Sequence, residues 1–269
     1  LERFGIETTY LPVDDLGQID PDAVKTAIRT DTRLISIMHA NNEVGTLEPI
    51  VAIASIARAH AIPFHTDAAQ SVGKIPARVD DLGVDLLSVA GHKLYAPKGI
   101  GALYVRPGLT LENFCHGAGQ EAGRRAGTEN VALIVALGKA CEIAARDLDQ
   151  KLIQMRDKRD RLHQGLADGL TGVRLNGHPE ERLPNTLSVS LQGVAADRLL
   201  AAIGDEIAAS AGAACHAETV TISHVLQAMH VPEEWARGTV RFSVGRTTTR
   251  EDIDTALPVI VAAVERLRK

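Results

Sequence analysis

Short apolar runs that alternate with helical patterns constrain the fold of this chain more than any other feature. The runs with the length and residue types of strands are Leu34–Met38, Phe64–Thr66, Asp85–Ala90 and Gly101–Val105. Between the first two, Val51–His60 places its apolar residues on one face of a helix. This alternation predicts a mostly parallel sheet covered by helices. Because ligands of such sheets bind beyond the carboxyl ends of the strands, the residues after each strand are the first candidates for chemistry.

The second half of the chain has a different pattern, which indicates a smaller α+β domain. It is helical from about residue 131 to 170. The later predicted elements are a half-exposed strand at Leu187–Leu191, a helix at Ala195–Ile203, a strand at Val240–Val244 and a terminal helix at Arg250–Leu267. Pro258 should bend or interrupt that last helix. We therefore predict a large domain over residues 1–148 and a small α+β domain over residues 149–269.

Composition and charge exclude several classes of function. The formal net charge of −5 is spread without long blocks of one sign, which argues against a nucleic-acid-binding protein and against a basic membrane-surface protein. The longest apolar run, Ala256–Val264, contains Pro258 and is far shorter than the roughly 20 residues that a spanning helix needs. The three cysteines are odd in number and far apart, unlike a secreted disulfide framework, so we expect a cytoplasmic protein.

Polar clusters follow the predicted strands. They are HANNEVG at 39–45, HTDAAQ at 65–70, SVAGHKLYAPKG at 88–99 and SAGAACH at 210–216. In the second and third clusters, Asp67 and Lys93 place opposite charges where they can face one crevice. No spacing of His and Cys residues in the chain matches a zinc site, so we expect no metal.

The Asp67 and Lys93 pair allows two interpretations. A desolvated lysine has a larger neutral fraction and can act as a nucleophile. Pyridoxal phosphate is held in this way, as a Schiff base to a lysine with an aspartate on its pyridinium nitrogen. The alternative is that the two residues form an ordinary salt bridge or are solvated separately. The two residues by themselves leave both interpretations open.

Six motifs, taken together, resemble one known family. In chain order they are HANNEVGTLEPI, HTDAAQSVGK, GHKLYAPKGIGALYVR, GAGQEAGRRAGTENV, SAGAACHAE and RFSVGRTTT. With these motifs the chain resembles the cysteine desulfurases of the iron–sulfur-cluster type, a fold-type-I family that depends on pyridoxal phosphate. The resemblance implies an α/β fold, with a mostly parallel sheet, helices on both of its faces and a smaller α+β C-terminal domain. The N-terminal portion of the family's large domain has no counterpart in this chain.

The resemblance also implies the residues that hold the cofactor. Lys93 would form the Schiff base, and Asp67 would pair with the pyridinium nitrogen. Gln70 would donate a hydrogen bond to the phenolic oxygen. His92 would bind the phosphate, and Thr128 would reach the phosphate of the partner subunit in a homodimer.

The substrate and the nucleophile follow from the same resemblance. Asn42 would contact both the cofactor and the carboxylate of the substrate L-cysteine, and Arg241 would clamp that carboxylate. Cys215 would take the sulfur as a persulfide and pass it to a sulfur-acceptor or iron–sulfur scaffold protein, while L-alanine leaves. For Cys141, which sits in an apolar helix, and for Cys115 we expect ordinary packing roles.

Two alternatives stay open at the level of sequence. Selenocysteine lyases are close relatives that keep the cysteine at the position of Cys215. The interval from Cys215 to Arg241 resembles that of desulfurases with a long loop, and this favours cysteine as the substrate. The other alternative is that the chain is a non-catalytic fragment that needs a complementary N-terminal piece.

Overall fold

A computed structural model describes residues 2–211, 214–216 and 219–269, with side chains for residues 2–211 and 222–269. The α-helices, in chain order, are α1 (Pro21–Ala27), α2 (Ile50–Ala59), α3 (Val79–Leu82), α4 (Val131–Arg146), α5 (Leu148–Gly169), α6 (Ala196–Ile203), α7 (His224–Ala228), α8 (Glu233–Ala236) and α9 (Arg250–Leu267). The strands are β1 (Ile35–Met38), β2 (Phe64–Asp67), β3 (Leu86–Ala90), β4 (Gly101–Val105), β5 (Val173–Asn176), β6 (Thr186–Leu191), β7 (Ser210–Ala211), β8 (Ala214–His216), β9 (Thr219–Thr221) and β10 (Thr239–Ser243). Short 3₁₀ helices occur at Glu2–Phe4, Gly91–Leu94 and Glu121–Gly123.

The chain packs into two compact units. The parallel-sheet unit comprises Thr30–His39 and Ile50–Leu148. The antiparallel-sheet unit comprises Leu1–Arg29, Ala40–Pro49 and Asp149–Lys269. The division into domains at 148 and 149 stays a prediction from the sequence.

The sheet of the parallel-sheet unit has the order β1-β2-β3-β4. Strands β1, β2 and β3 are parallel, and β4 runs antiparallel to β3. The expected mostly parallel sheet is therefore confirmed. Helix α2 packs against β2, where Ile53 and Phe64 are fully buried.

Apolar side chains attach the 3₁₀ helix that follows β3 to helix α4. Leu94, Ala96 and Ala140 are buried there, and Leu137 and Ala144 pack around them. The predicted helix from 131 to 170 is divided into α4 and α5 at Asp147, whose backbone is not helical.

Cys141 also lies on α4, but its side chain is exposed. The expectation of a packed core position for Cys141 was therefore wrong. Within α4, all of which is described, only Ala140 is buried, so most of the apolar surface of this helix is left uncovered.

The antiparallel-sheet unit has a sheet of order β5-β6-β10-β7, in which neighbouring strands are antiparallel. Its core forms where the apolar face of β6, with Leu187, Val189 and Leu191, meets side chains of α5, α6 and α9. The expectation that β6 is half exposed was wrong, because its polar residues are buried as well. Asn176 Nδ2 donates to Ser190 Oγ at 2.8 Å, and Ser190 Oγ lies 2.7 Å from Thr239 Oγ1. These hydrogen bonds make burial of the polar face tolerable.

Helix α9 continues through Pro258, so the predicted interruption does not occur. A capping box between Thr249 and Asp252 begins the helix. Close packing then holds it against α5, where a Cβ on Gly165 would lie 2.5 Å from Leu257 Cδ1. Among the described residues, neither this helix nor any other combines the length and the apolar character needed to cross a membrane.

Glu48, in the antiparallel-sheet unit, is a buried carboxyl group without a cationic partner among the described residues. Its Oε2 accepts a hydrogen bond from the backbone N–H of Ile19 at 2.9 Å. Burial raises the pKa of Glu48 to about 7; the hydrogen bond opposes this rise, and the charge of Asp14 adds to it. Because the pKa is higher in the folded protein than in the unfolded chain, the carboxyl group stabilises the fold most at low pH. That contribution is lost as the pH rises through about 7.

We expect Glu48→Gln to raise the free energy of unfolding by about 2–3 kcal/mol at pH 8 and by almost nothing below about pH 5. Glutamine keeps an oxygen that can accept from Ile19 but does not ionise. Urea unfolding between pH 5 and 8 measures the effect, with the exposed Glu265→Gln as the matched control. Identical pH profiles for Glu48→Gln and the wild type would show that Glu48 is not the titrating group.

Candidate active site

The first group of candidate residues lies at the carboxyl end of strand β2. Asp67 is its last residue and is exposed. Asp67 Oδ1 accepts from the backbone N–H of Ala69 at 2.9 Å, which fixes the carboxylate at the start of the following turn. Gln70 lies in that turn and is half-buried.

Strand β3 leads directly into the 3₁₀ helix that carries His92 and Lys93. His92 is exposed and Lys93 is half-buried. Gly91 begins this turn next to β4, and a Cβ there would lie 2.7 Å from the carbonyl oxygen of Ile100. Only glycine fits this approach, which explains the Gly-His-Lys sequence locally. Tyr95 ends the turn in the left-handed region, with φ at +67°.

The strand register brings these two groups to one edge of the sheet. Met38 pairs with Asp67, and Asp67 pairs with Ser88, so β1 and β2 end level with each other while β3 continues to Ala90. Asp67 and Lys93 form no ion pair with each other in the described part of the chain, and this disfavours the ordinary salt bridge. An amine and a carboxylate at one sheet edge are thus both available to a ligand.

Thr128 is not joined to that group by any hydrogen bond seen in the described residues. It is exposed in the loop that precedes α4. Two residues later, Asn130 caps α4 by accepting from the backbone N–H of Leu133 at 3.2 Å. Thr128 thus lies in the loop just before the capped start of α4.

Arg241 and Asn42 meet within the antiparallel-sheet unit. Arg241 lies on β10, and its Nη1 donates to the carbonyl oxygen of Asn42 at 2.6 Å. Its Nη2 donates to Ser210 Oγ at 3.3 Å. Its Nε is buried and has no partner among the described residues. The guanidinium group is therefore oriented by the backbone while part of its donor capacity stays unused.

The turn that carries Asn42 is itself fixed. Asn41 Oδ1 accepts from the backbone N–H groups of Glu43 at 2.8 Å and Val44 at 3.0 Å. Glu43 in turn accepts a hydrogen bond from Ser223 Oγ at 2.5 Å. The exposed side chain of Asn42 thus projects from a turn that its neighbours hold in place.

Cys215 belongs to β8, and its side chain lies outside the described residues. The same holds for His216. The role proposed for Cys215 rests on the sequence. In the part of the chain with described side chains, no group of three or more His, Cys, Asp or Glu residues could hold a metal ion.

Two polar residues at this edge of the parallel sheet were not predicted from the sequence. His65 spans three strands, with Nδ1 2.8 Å from Ser36 Oγ and Nε2 2.9 Å from Ser88 Oγ. Burial lowers the pKa of His65, and Asp67 opposes that effect. Lys74 Nζ donates to the carbonyl oxygen of Gln70 at 2.8 Å. Lys74 stands in the HTDAAQSVGK motif, but the spacing of that motif gives no sign that Lys74 is half-buried and bonded to Gln70.

The chain matches one protein family and many curated proteins. Residues 1–256 match the aminotransferase class-V family. A cysteine desulfurase IscS of Dictyoglomus turgidum is 47% identical over all of this chain and over 68% of its own length. A cysteine desulfurase IscS of Methanosarcina thermophila is 46% identical over all of this chain and over 66% of its own length. The chain thus spans about two thirds of the length of these relatives.

Solved structures give the same result for the fold. A NifS-like protein superposes with a TM-score of 0.90 at 35% identity, over 98% of this chain and 70% of that protein. A protein described as SspA in complex with cysteine superposes with a TM-score of 0.75 at 38% identity, over 92% of this chain and 69% of that one.

Proposed function

Since this chain belongs to the aminotransferase class-V family, among its cysteine desulfurases, we propose that it converts L-cysteine to L-alanine with pyridoxal phosphate and takes the sulfur on Cys215. The observation that carries the proposal is the match to cysteine desulfurases along the whole chain, with Asp67 at the end of β2 and Lys93 in the turn that follows the neighbouring strand β3. The family's members depend on pyridoxal phosphate, and these two residues are the types that hold it.

The donor set at the sheet edge fits the cofactor. When bound, pyridoxal phosphate withdraws electrons from the α-carbon of an amino acid substrate. Lys93 would supply the amine that bonds to the aldehyde carbon, and Asp67 would keep a proton on the ring nitrogen. The amide of Gln70 would donate to the phenolic oxygen, and the resemblance to the family implies the same contact for the amide of Asn42.

The phosphate requires its own donors. His92 would bind it from the turn next to Lys93. Thr128 would reach the phosphate of a second subunit, so we propose a homodimer. Both side chains are exposed, as groups that contact a ligand or another subunit need to be.

Arg241 would bind the carboxylate of the substrate. Two parallel N–H groups of a guanidinium match two carboxylate oxygens, a geometry that an ammonium group lacks. The hydrogen bonds to Asn42 and Ser210 already orient the guanidinium plane. This orientation would fix the substrate before the chemical step.

Cys215 would perform the sulfur transfer. Its thiolate attacks the sulfur of the substrate, forming an S–S bond while the Cβ–S bond of the substrate breaks. The electron pair of that bond stays on Cβ, which gains a proton and becomes the methyl group of alanine. Cys215 is left as a persulfide, which we propose passes to a sulfur-acceptor or iron–sulfur scaffold protein in the cytoplasm.

Reductive trapping tests the proposal. The protein is incubated with pyridoxal phosphate, reduced with borohydride and digested, and the adduct is located by peptide mass spectrometry. We expect one stoichiometric adduct on Lys93, lost in Lys93→Gln and kept in the nearby Lys98→Gln. Scattered or absent labelling would contradict the proposed site and would favour a fragment that needs a complementary N-terminal piece.

Turnover then identifies the substrate. We expect the protein that carries about one trapped cofactor adduct per chain to release alanine from L-cysteine. A large preference for selenocysteine over cysteine would instead assign the chain to the selenocysteine lyases.

A further inference from the structure

The Cys215 segment, residues 212–222 between β7 and α7, begins next to the proposed carboxylate site. Ser210 of β7 pairs with Arg241 of β10. The Ser210 hydroxyl accepts from Arg241 Nη2 at 3.3 Å, and Arg241 Nη1 donates to the carbonyl oxygen of Asn42 at 2.6 Å. The start of the segment is therefore anchored to the residues that we propose bind the substrate.

The end of the segment is anchored to the same turn through Ser223. This buried serine begins α7, and its Oγ accepts from the backbone N–H of Val225 at 3.1 Å. The same hydroxyl donates to Glu43 Oε2 at 2.5 Å, although the two residues lie 180 positions apart in the chain. A helix cap needs only the acceptor role of the hydroxyl, so the hydrogen bond to Glu43 requires another explanation. Glu43 directly follows Asn42, so both ends of the segment meet at one turn.

The anchor at Ser223 lies close to Cys215. Strands β8 and β9 form a separate two-stranded sheet, in which Cys215 pairs with Val220. Val220 is three residues before Ser223, a stretch of chain that spans at most about 10 Å. Because β8 and β9 pair with no other strand in the described part of the chain, the position of Cys215 depends on where the segment is anchored.

Apolar packing holds α7 but does not orient the residue that begins it. Leu226 and Met229 of α7 are buried in one apolar cluster with Val44. This cluster does not depend on the hydrogen bond between Ser223 and Glu43, so α7 should stay packed when that bond is removed. Apolar burial is non-directional, whereas a hydrogen bond fixes the orientation of its two groups.

We propose that Glu43 and Ser223 are positioning residues for Cys215: their hydrogen bond sets the direction of the chain where it enters α7 and so places Cys215 relative to Asn42 and Arg241. The inference deepens the proposed function and rests on it, since it takes Cys215 as the residue that accepts the sulfur.

Substitution of Glu43 tests the hydrogen bond without altering the helix cap. We expect Glu43→Ala to lower kcat for alanine release by about tenfold, because a misplacement of about 1 Å can cost about 100-fold in rate. The KM for L-cysteine should stay within about twofold, since Asn42 and Arg241 are unchanged. Glu43→Gln keeps an oxygen that accepts from Ser223 and should recover most of the loss. Glu234→Ala, at an exposed carboxylate on α8, is the matched control.

Exchanging the donor and the acceptor gives a second test. Ser223→Asp keeps an oxygen that caps α7 but places two carboxylates together, so we expect a loss at least as large as in Glu43→Ala. When Glu43→Gln is added, its amide can donate to the introduced carboxylate. We therefore expect the double variant to be more active than Ser223→Asp alone. Thermal melting shows whether each variant is folded, and the Glu43 variants decide the matter if Ser223→Asp is not.

The placement of Cys215 is also measurable without cofactor. Spin labels are attached to Cys215 and to Glu265→Cys on α9, in protein that carries Cys115→Ser and Cys141→Ser. Pulsed electron paramagnetic resonance then gives the distribution of distances between the two labels. We expect Glu43→Ala to shift or broaden this distribution and Glu43→Gln to keep that of the labelled parent.

The outcomes separate positioning from other roles. A kcat for Glu43→Ala equal to that of the wild type would overturn the proposal. Equal losses in Glu43→Ala and Glu43→Gln would also overturn it, because the charge and not the hydrogen bond would then matter. If the distances change as expected but the wild type releases no alanine, the proposed function fails and the positioning stands. Turnover by the wild type, with distances indifferent to residue 43, gives the reverse result.

Discussion

Replacing Cys215 by serine is expected to lower the release of alanine from L-cysteine by at least about 100-fold, while the trapped cofactor adduct on Lys93 is kept. A thiolate is present as a small fraction at neutral pH and is strongly nucleophilic, whereas a serine hydroxyl is barely ionised without an adjacent base. Serine also differs little in size from cysteine, so loss of packing does not explain a large effect.

The other cysteines of the chain provide matched controls. Cys115 is half-buried and Cys141 is exposed, and neither is among the predicted site residues. We expect Cys115→Ser and Cys141→Ser to release alanine within about twofold of the wild type, in line with surface substitutions of small effect. Alkylation and mass spectrometry after turnover should find the persulfide on Cys215 alone. Full alanine release by Cys215→Ser would remove Cys215 from the mechanism.

Replacing Arg241 by glutamine is expected to lower kcat/KM for cysteine by about 100-fold, mostly through a higher KM. A charge-assisted hydrogen-bonded pair with a carboxylate typically contributes a few kcal/mol, and 100-fold corresponds to about 2.7 kcal/mol. Arg241→Lys keeps the charge but loses the paired N–H groups, so we expect it to recover only part of the loss.

Ser210→Ala tests the orientation of Arg241 with a smaller change than replacing Arg241 itself. It removes the hydroxyl that accepts from Nη2 at 3.3 Å and leaves the hydrogen bond to Asn42 intact. We expect a loss of about two- to fivefold in kcat/KM, because one weak neutral hydrogen bond contributes about 1 kcal/mol or less. Borohydride trapping and thermal melting of all three variants separate substrate binding from cofactor capture and folding. An unchanged KM in Arg241→Gln would show that another group binds the carboxylate.

The strands that carry the candidate site were predictable from the sequence. Runs of apolar residues with polar residues directly behind them placed Asp67 and Lys93 at strand ends, and β4 was predicted with its observed bounds, Gly101–Val105. The helix predicted at Val51–His60 is α2, displaced by one residue. These features depend on local periodicity and turn residues, which the chain carries whether or not it is folded.

Burial and neighbours were decided only by the tertiary structure. The alternating sequence of β6 predicts an exposed polar face, yet Ser188 and Ser190 are buried. Asn176 and Thr239, on the neighbouring strands, supply hydrogen bonds to this face. The apolar sequence around Cys141 predicts a core position, yet its side chain is exposed on α4.

The sequence by itself determined the family motifs, the alternation of strands and helices, and the residue types available for chemistry. Packing decided that Asp67 pairs with Ser88, that the half-buried Lys74 donates to the carbonyl oxygen of Gln70, and that Glu48 has no cation to pair with among the described residues. The physical reason is that desolvation and Coulomb energies depend on distances between groups that are remote along the chain. Local patterns fix which elements form, and packing then fixes the charge and reactivity of the side chains they carry.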